Sequence, residues 1–260
     1  MILDQIVAAT AKRVAALKET TTLALLKSQA KRSETPFAFE KALAQKSAAG
    51  EIAFICEVKK ASPSKGVIAA DFPYLEIARD YQAAGADAIS VLTEPEFFQG
   101  ANNYLSEIKE QVSIPVLRKD FIIDAIQIYE ARLIGADAIL LICSILDTET
   151  IREYLEIADE LGLSALVEAH DEAEVKQALA AGARVIGVNN RNLKTFEVDL
   201  QNSIRLRQLV PPEILFVSES GIRTAEDIAK LRKNGTNVVL IGETLMRSGD
   251  KQGALNQLRR

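Results

Sequence analysis

Eight short apolar runs, at 52–56, 87–92, 114–117, 137–142, 163–167, 184–188, 214–217 and 237–241, alternate with stretches whose apolar residues recur at helical spacing. The runs are too short for buried helices and carry β-branched residues, so they read as strands. Tyr74 to Ala84, Asp124 to Ile134, Thr148 to Leu161, Asp171 to Ala181 and Thr224 to Asn234 read as helices between them, several opened by Asp or Thr caps. An alternation of this kind admits few solutions, all of them parallel sheets with helical crossovers.

Four helices close on a glycine before the next strand, at Gly85, Gly135, Gly182 and Gly235. These glycines are 50, 47 and 53 residues apart, two strand-helix units each. Residues 52 to 260 total 209, and eight units of about 26 residues match a closed (βα)8 TIM barrel. The rival is a doubly wound open sheet, but no GxGxxG follows the first strand and no switch point in strand order is apparent. An α/β class with a (βα)8 barrel is therefore expected.

Residues 1–47 are patterned differently. Ile2, Ile6, Val7, Val14 and Leu17 keep to one side of a helix, and Pro36 opens a second helix through Phe37 to Leu43. The segment is too short for a core of its own. It is expected to be an N-terminal helical extension packed on a single barrel domain spanning 1–260.

Charge narrows the partners. Lys and Arg total 31 against 36 Asp and Glu, a net charge of −5, with no long basic run and no Trp, which argues against a nucleic-acid surface. No apolar run approaches the roughly 18 residues of a membrane span, and the first residues lack a secretory pattern. Cys56 and Cys143 sit inside apolar runs without metal-ligand spacing, as buried thiols do in a reducing compartment. The cytoplasm is the expected location.

Each apolar run ends abruptly in polar residues: Glu57 and Lys59; Thr93 and Glu94; Arg118, Lys119 and Asp120; Cys143 and Ser144; Glu168; Asn189, Asn190 and Arg191; Ser218, Glu219 and Ser220; Gly242 and Glu243. In a parallel barrel these ends share one face, where such barrels build their active sites. Charges gathered there without function would be costly, so an enzyme is expected. Ser220-Gly221-Ile222 after the seventh run and Gly242-Glu243-Thr244 after the eighth suit a phosphate cradle of backbone N–H groups. Lys59, Lys119, Glu57, Glu168 and Glu219 mix cations and carboxylates as general acid and base work requires.

The chain resembles the indole-3-glycerol phosphate synthase family. The resemblance rests on Met1-Ile-Leu-Asp-Gln-Ile, Cys56-Glu-Val-Lys-Lys-Ala-Ser-Pro-Ser-Lys-Gly, Ser90-Val-Leu-Thr-Glu-Pro-Glu-Phe-Phe-Gln-Gly, Leu117-Arg-Lys-Asp-Phe-Ile, Leu166-Val-Glu-Ala-His, Ile186-Gly-Val-Asn-Asn-Arg-Asn-Leu, Val217-Ser-Glu-Ser-Gly-Ile and Leu240-Ile-Gly-Glu-Thr-Leu-Met. These segments span the whole chain. As a set they are highly specific.

The resemblance implies a carboxy-lyase of tryptophan biosynthesis that cyclises 1-(2-carboxyphenylamino)-1-deoxyribulose 5-phosphate, with loss of CO2 and water, and uses no cofactor or metal. By position, Lys119 matches the general acid that protonates the ribulose carbonyl oxygen as the aromatic carbon attacks. Lys59 matches the lysine that holds the anthranilate carboxylate and serves the dehydration. Glu168 matches the carboxylate that stabilises the developing cationic nitrogen and moves protons, with Glu57 and Glu219 completing the ring and Asn189 a hydrogen-bonding residue beside it. Ser220, Gly221, Gly242 and Glu243 match the phosphate cradle; Phe98, Phe121 and Leu193 match the apolar slot for the anthranilate ring; Arg191 and Ser62 match polar residues near the substrate.

Further expectations accompany this reading. The Glu243 carboxylate should point away from the phosphate, and Lys59 and Lys119 should depress each other's pKa. His170, the only histidine, is expected at a loop or helix cap with no catalytic role. A small phosphorylated substrate and a monomer are expected, with association with other tryptophan-pathway enzymes as an alternative. The competing readings are a sibling barrel such as phosphoribosylanthranilate isomerase, and a barrel that binds a phosphorylated ligand without turnover.

Overall fold

A computed structural model describes residues 1–192 and 195–260. Eight parallel strands, β1 (Ala53–Val58), β2 (Ala88–Leu92), β3 (Val116–Lys119), β4 (Ala138–Ile142), β5 (Ser164–Ala169), β6 (Val185–Asn189), β7 (Leu215–Glu219) and β8 (Val238–Ile241), pair in sequence order, and β8 returns to β1 to close the barrel. The strand-helix alternation and the fold class stand as read.

Several strands run further than the apolar runs. β1 extends through Val58, β3 through Lys119, β5 through Ala169, β6 through Asn189 and β7 through Glu219. Side chains alternate between the two faces of a strand, and this carries polar residues into the barrel. Ile55, Leu117, Leu166 and Val217 belong to the apolar cluster that fills its interior. Two residues on, at Glu57, Lys119, Glu168 and Glu219, the same inward face becomes charged.

The connections are legible in the same local chemistry. After three N-terminal helices, α4 (Tyr74–Ala83), α5 (Asn102–Gln111), α6 (Ile126–Leu133), α7 (Thr148–Leu161), α8 (Glu172–Ala181), α9 (Gln201–Leu206) and α10 (Ala225–Lys233) lie between the strands. Asp147, Asp171 and Thr224 start α7, α8 and α10 by accepting from the backbone N–H groups of Thr150, Glu174 and Asp227. The four helix-closing glycines all have positive φ, between 81° and 94°, which glycine adopts without strain.

The N-terminal segment holds three helices rather than the two expected: α1 (Ile2–Thr20), α2 (Leu23–Gln29) and α3 (Ala38–Ala48). Thr22 caps the unforeseen α2 by accepting from Leu25 N–H. Phe39 and Leu43 of α3 are fully buried and pack with Ala53, Ala138, Val185 and Val238 at the amino ends of the strands, so α3 plugs the barrel floor. At the opposite end Ile2, Leu3 and Ile6 of α1 line the mouth. A short hairpin, Ala61–Ser62 against Gly66–Val67, replaces the loop expected after β1. No helix among the described residues is long and apolar enough to cross a membrane.

Candidate active site

The mouth at the carboxyl ends of the strands opens into a cavity of about 590 Å³. At its base the ammonium of Lys119 stands 3.2 Å from Glu219 Oε2, 3.5 Å from Glu168 Oε2 and 3.9 Å from Glu57 Oε1. The other oxygen of Glu57 is 2.5 Å from Lys59 Nζ. One carboxylate is thus interposed between the two lysines.

This arrangement reverses the depression expected for Lys119. Burial by itself would lower the proton affinity of Lys119, but the charges of Glu219, Glu168 and Glu57 outweigh it and raise the Lys119 pKa. The ammonium is held protonated. The carboxylates divide by their surroundings: burial opposes ionisation of Glu57 and Glu168, yet Lys59 and Lys119 hold the first low, and Lys119, His170 and Asn189 hold the second low. Glu219 is pushed up to about 7, first by burial and then by its neighbours Glu168 and Glu57, against the pull of Lys119. Neighbouring carboxyls of different proton affinity are what acid and base roles require.

Glycines make room for the ring. A Cβ on Gly187 would lie 2.2 Å from Glu219 Oε1, and one on Gly242 would lie 2.1 Å from Glu57 Oε2. Gly242 therefore accommodates the Glu57 carboxylate as well as opening the turn after β8. The structural role of Gly187 was not apparent in the sequence, where it was one more residue of an apolar run.

Phe98 and Phe121 face each other across the cavity wall with ring centroids 6.0 Å apart. Phe98 is set by the buried Glu94, which accepts from the N–H groups of Glu96, Phe97 and Phe98. Ser62 lines the same cavity, as do Asn189 and Arg191; Asn189 Oδ1 accepts from Arg191 N–H at 3.0 Å. Leu193, the third residue expected in the apolar slot, lies outside the described residues.

The other side of the mouth is cationic. Ser220 and Gly221 follow β7 in consecutive left-handed conformations, φ 68° and 84°, and a Cβ on Gly221 would lie 2.4 Å from Val198 Cγ1. Arg191, Arg223 and Arg247 line this region with Gly242 and Glu243. The Glu243 carboxylate accepts from Arg247 Nε at 3.1 Å, with Lys65 at 3.7 Å and Arg191 at 3.9 Å. Three cations surround one carboxylate, so the rim keeps net positive charge beside it. Sequence alone points to no role for Lys65, Arg223 or Arg247, although Lys65 lies in the motif after β1 and Arg247 stands four residues past Glu243.

His170 lies in the bend just before a helix, as expected, but it does more than cap. Its backbone N–H and its Nδ1 both reach Glu174 Oε2, at 2.7 and 3.1 Å, as at a helix start, but its Nε2 lies 3.5 Å from Glu168 Oε1. The side chain meant only for a cap touches the charged ring.

Fold and site together define the class: a (βα)8 barrel with a buried cluster of lysines and carboxylates in a cavity at the carboxyl ends of its strands. Across residues 3–258 the chain matches the family model of indole-3-glycerol phosphate synthase. It is 64% identical to the indole-3-glycerol phosphate synthase of Ruminiclostridium cellulolyticum, covering 100% of this chain and 99% of the relative, and 58% identical to that of Endomicrobium trichonymphae, covering 100% of both. Among solved structures, 3-hexulose-6-phosphate synthase from Salmonella typhimurium superposes with a TM-score of 0.66 at 17% identity, over 80% of this chain and 97% of that one. That likeness is one of fold. The chain belongs to the indole-3-glycerol phosphate synthase family.

Proposed function

We propose that the cavity binds 1-(2-carboxyphenylamino)-1-deoxyribulose 5-phosphate and closes it to indole-3-glycerol phosphate, a carboxy-lyase reaction of tryptophan biosynthesis. The observation that carries this reading is the Lys119 ammonium within 3.9 Å of three carboxylates, flanked by an aromatic slot and a cationic rim.

The substrate's parts match these three regions. The anthranilate ring packs against the apolar wall formed by Phe98 and Phe121, where Leu193 is proposed as a further apolar contact, and its carboxylate is held by Lys59. The phosphate lies toward Ser220, Gly221, Gly242 and the N–H of Glu243, with Arg191 supplying charge and Ser62 a hydroxyl near the substrate. The ring carbon bearing the carboxylate attacks the ribulose carbonyl carbon while Lys119 gives its proton to the carbonyl oxygen. Lys119 begins this step protonated, as a general acid must, because the surrounding carboxylates raise its pKa.

CO2 then leaves with its bonding electrons returned to the ring, and the new hydroxyl leaves as water with Lys59 as the proton donor. Glu168, held ionised, stabilises the cationic nitrogen and takes up a proton as the double bond forms. Glu57 holds Lys59, Glu219 holds Lys119, and Asn189 hydrogen-bonds to Glu168.

We further propose that residues 1–260 act as one domain with 1–47 as its extension. The free, buried Cys56 and Cys143 support a reducing cytoplasm. Among the described residues the exposed large apolar side chains are few, Met1, Leu23, Leu25, Val67, Leu133 and Phe196, which supports a monomer.

Incubating the full chain with the substrate and following indole fluorescence tests the reaction. Product should accumulate in step with released CO2. A folded protein that binds this substrate and yields no indole would overturn the reading.

A further inference from the structure

We propose that His170 is a positioning residue for Glu168, gripping the carboxylate from the side opposite Lys119. This deepens the proposed function and rests on its assignment of Glu168 to proton transfer. The geometry has three parts. Nε2 of His170 is buried and lacks a hydrogen-bond partner, and it stands 3.5 Å from Glu168 Oε1. The other oxygen of that carboxylate, Oε2, is 3.5 Å from Lys119 Nζ. The imidazole is itself anchored: Nδ1 lies 3.1 Å from Glu174 Oε2, the backbone N–H donates to the same oxygen, and the backbone carbonyl accepts from Asn202 Nδ2 at 2.9 Å.

Glu174 is fixed in turn, since its own N–H donates to the capping Asp171. A chain of contacts therefore runs from the start of α8 through the imidazole to the carboxylate. With Nδ1–H held by Glu174, protonation of Nε2 points an N–H at Glu168. The charged groups around the ring are Glu168 from β5, Glu174 from α8 and, further off, Glu219 from β7. All three are acidic and favour the imidazolium; burial opposes it, and the balance raises the His170 pKa. A cation there keeps Glu168 ionised and aimed at the cavity until a proton arrives from the substrate.

Being the only histidine, His170 has NMR imidazole signals free of overlap, so its titration can be followed directly in the whole protein. Its midpoint should lie above the ordinary value of 6.5 and fall toward it in Glu168→Gln. An unmoved midpoint would mean that the two groups do not interact. Kinetically, His170→Ala should lower kcat about tenfold, short of the roughly 10²- to 10⁴-fold cost of losing the carboxylate. KM should change little, and the acidic limb of the kcat profile should shift to higher pH. His170→Gln, which keeps a neutral donor, should recover part of kcat but leave the limb displaced. A limb that stays in place in either folded variant overturns the inference. Full turnover by Glu168→Gln is a different failure, because it removes Glu168 from the reaction itself.

Discussion

The guanidinium of Arg13, on the first helix, grips both carboxylate oxygens of Asp120, at 2.8 and 3.2 Å, and Asp120 is the next residue after Lys119. Asp120 is buried and also accepts from Thr93 Oγ1 and Arg118. The extension is thereby tied to the strand end that presents Lys119. Arg13→Ala leaves Arg118 and Thr93 in place, so the loss should be that of a charge-assisted hydrogen bond, about 1–3 kcal/mol. Urea unfolding measures it. An unchanged midpoint would make the ion pair an ornament of the surface.

Lys119→Met removes the proton and the cation that three carboxylates share. Turnover should fall by about 10²- to 10⁴-fold, while binding of substrate or product stays within a few kcal/mol of the parent, because Lys59 and the cationic rim remain. Single-turnover kinetics and equilibrium binding separate the two. Retained turnover, or complete loss of binding, would remove Lys119 from the role of acid.

Glu219 provides a pH-dependent signature. Its folded pKa of about 7 lies above the ordinary glutamate value of 4.5. A carboxyl raised on folding contributes stability that is full below the unfolded value and is lost as pH rises through the folded one. Between about pH 4.5 and 7 the parent should therefore lose stability relative to Glu219→Gln, whose amide does not ionise. Denaturation midpoints of both proteins across that range would expose a flat difference, if there is one. Gly187→Ala should also disturb this carboxyl, since the added Cβ would meet Glu219 Oε1.

At Gly221, a leucine meets Val198 Cγ1 and must adopt φ 84°, which side chains resist. KM should rise strongly as the turn moves away from the phosphate, with the barrel still folded by circular dichroism. An unaltered KM in that folded variant counts against a phosphate contact there.

Starting the chain near Ala48 removes the helix that plugs the floor. Phe39 and Leu43 are fully buried, and losing two such side chains costs roughly 2–5 kcal/mol each by analogy with large-to-small core changes. A soluble but marginal protein with poor activity is expected. Thermal unfolding and kcat/KM near those of the full chain would show the extension to be dispensable.

Strand and helix identity were legible because they depend on neighbours in the chain. The eight runs are marked by period and length, and Asp147, Asp171 and Thr224 announce their helices by capping chemistry. Lys59, Lys119 and Glu168 could be chosen because each follows an apolar run in a barrel whose strand ends share one face. The pairing of Arg13 with Asp120 spans 107 residues and leaves no local mark. The same holds for Gly187, whose importance is the space it leaves for Glu219, and for Lys65 and Arg191 meeting at Glu243, whereas Arg247 stands four residues past Glu243 at ordinary helical spacing.

Periodicity, caps and turn residues act over a few positions, and they suffice to specify the barrel, its module length and the residue types at its mouth. How those charges pair, and which carboxyl is pushed toward its protonated form, follows from the fold in three dimensions. Glu57 stands between the two lysines, and Lys119 is raised rather than lowered. Glu219 is pushed up while Glu168 is held down by Lys119 and His170. Coulombic interaction and desolvation depend on distance and burial in space, and separation along the chain encodes neither.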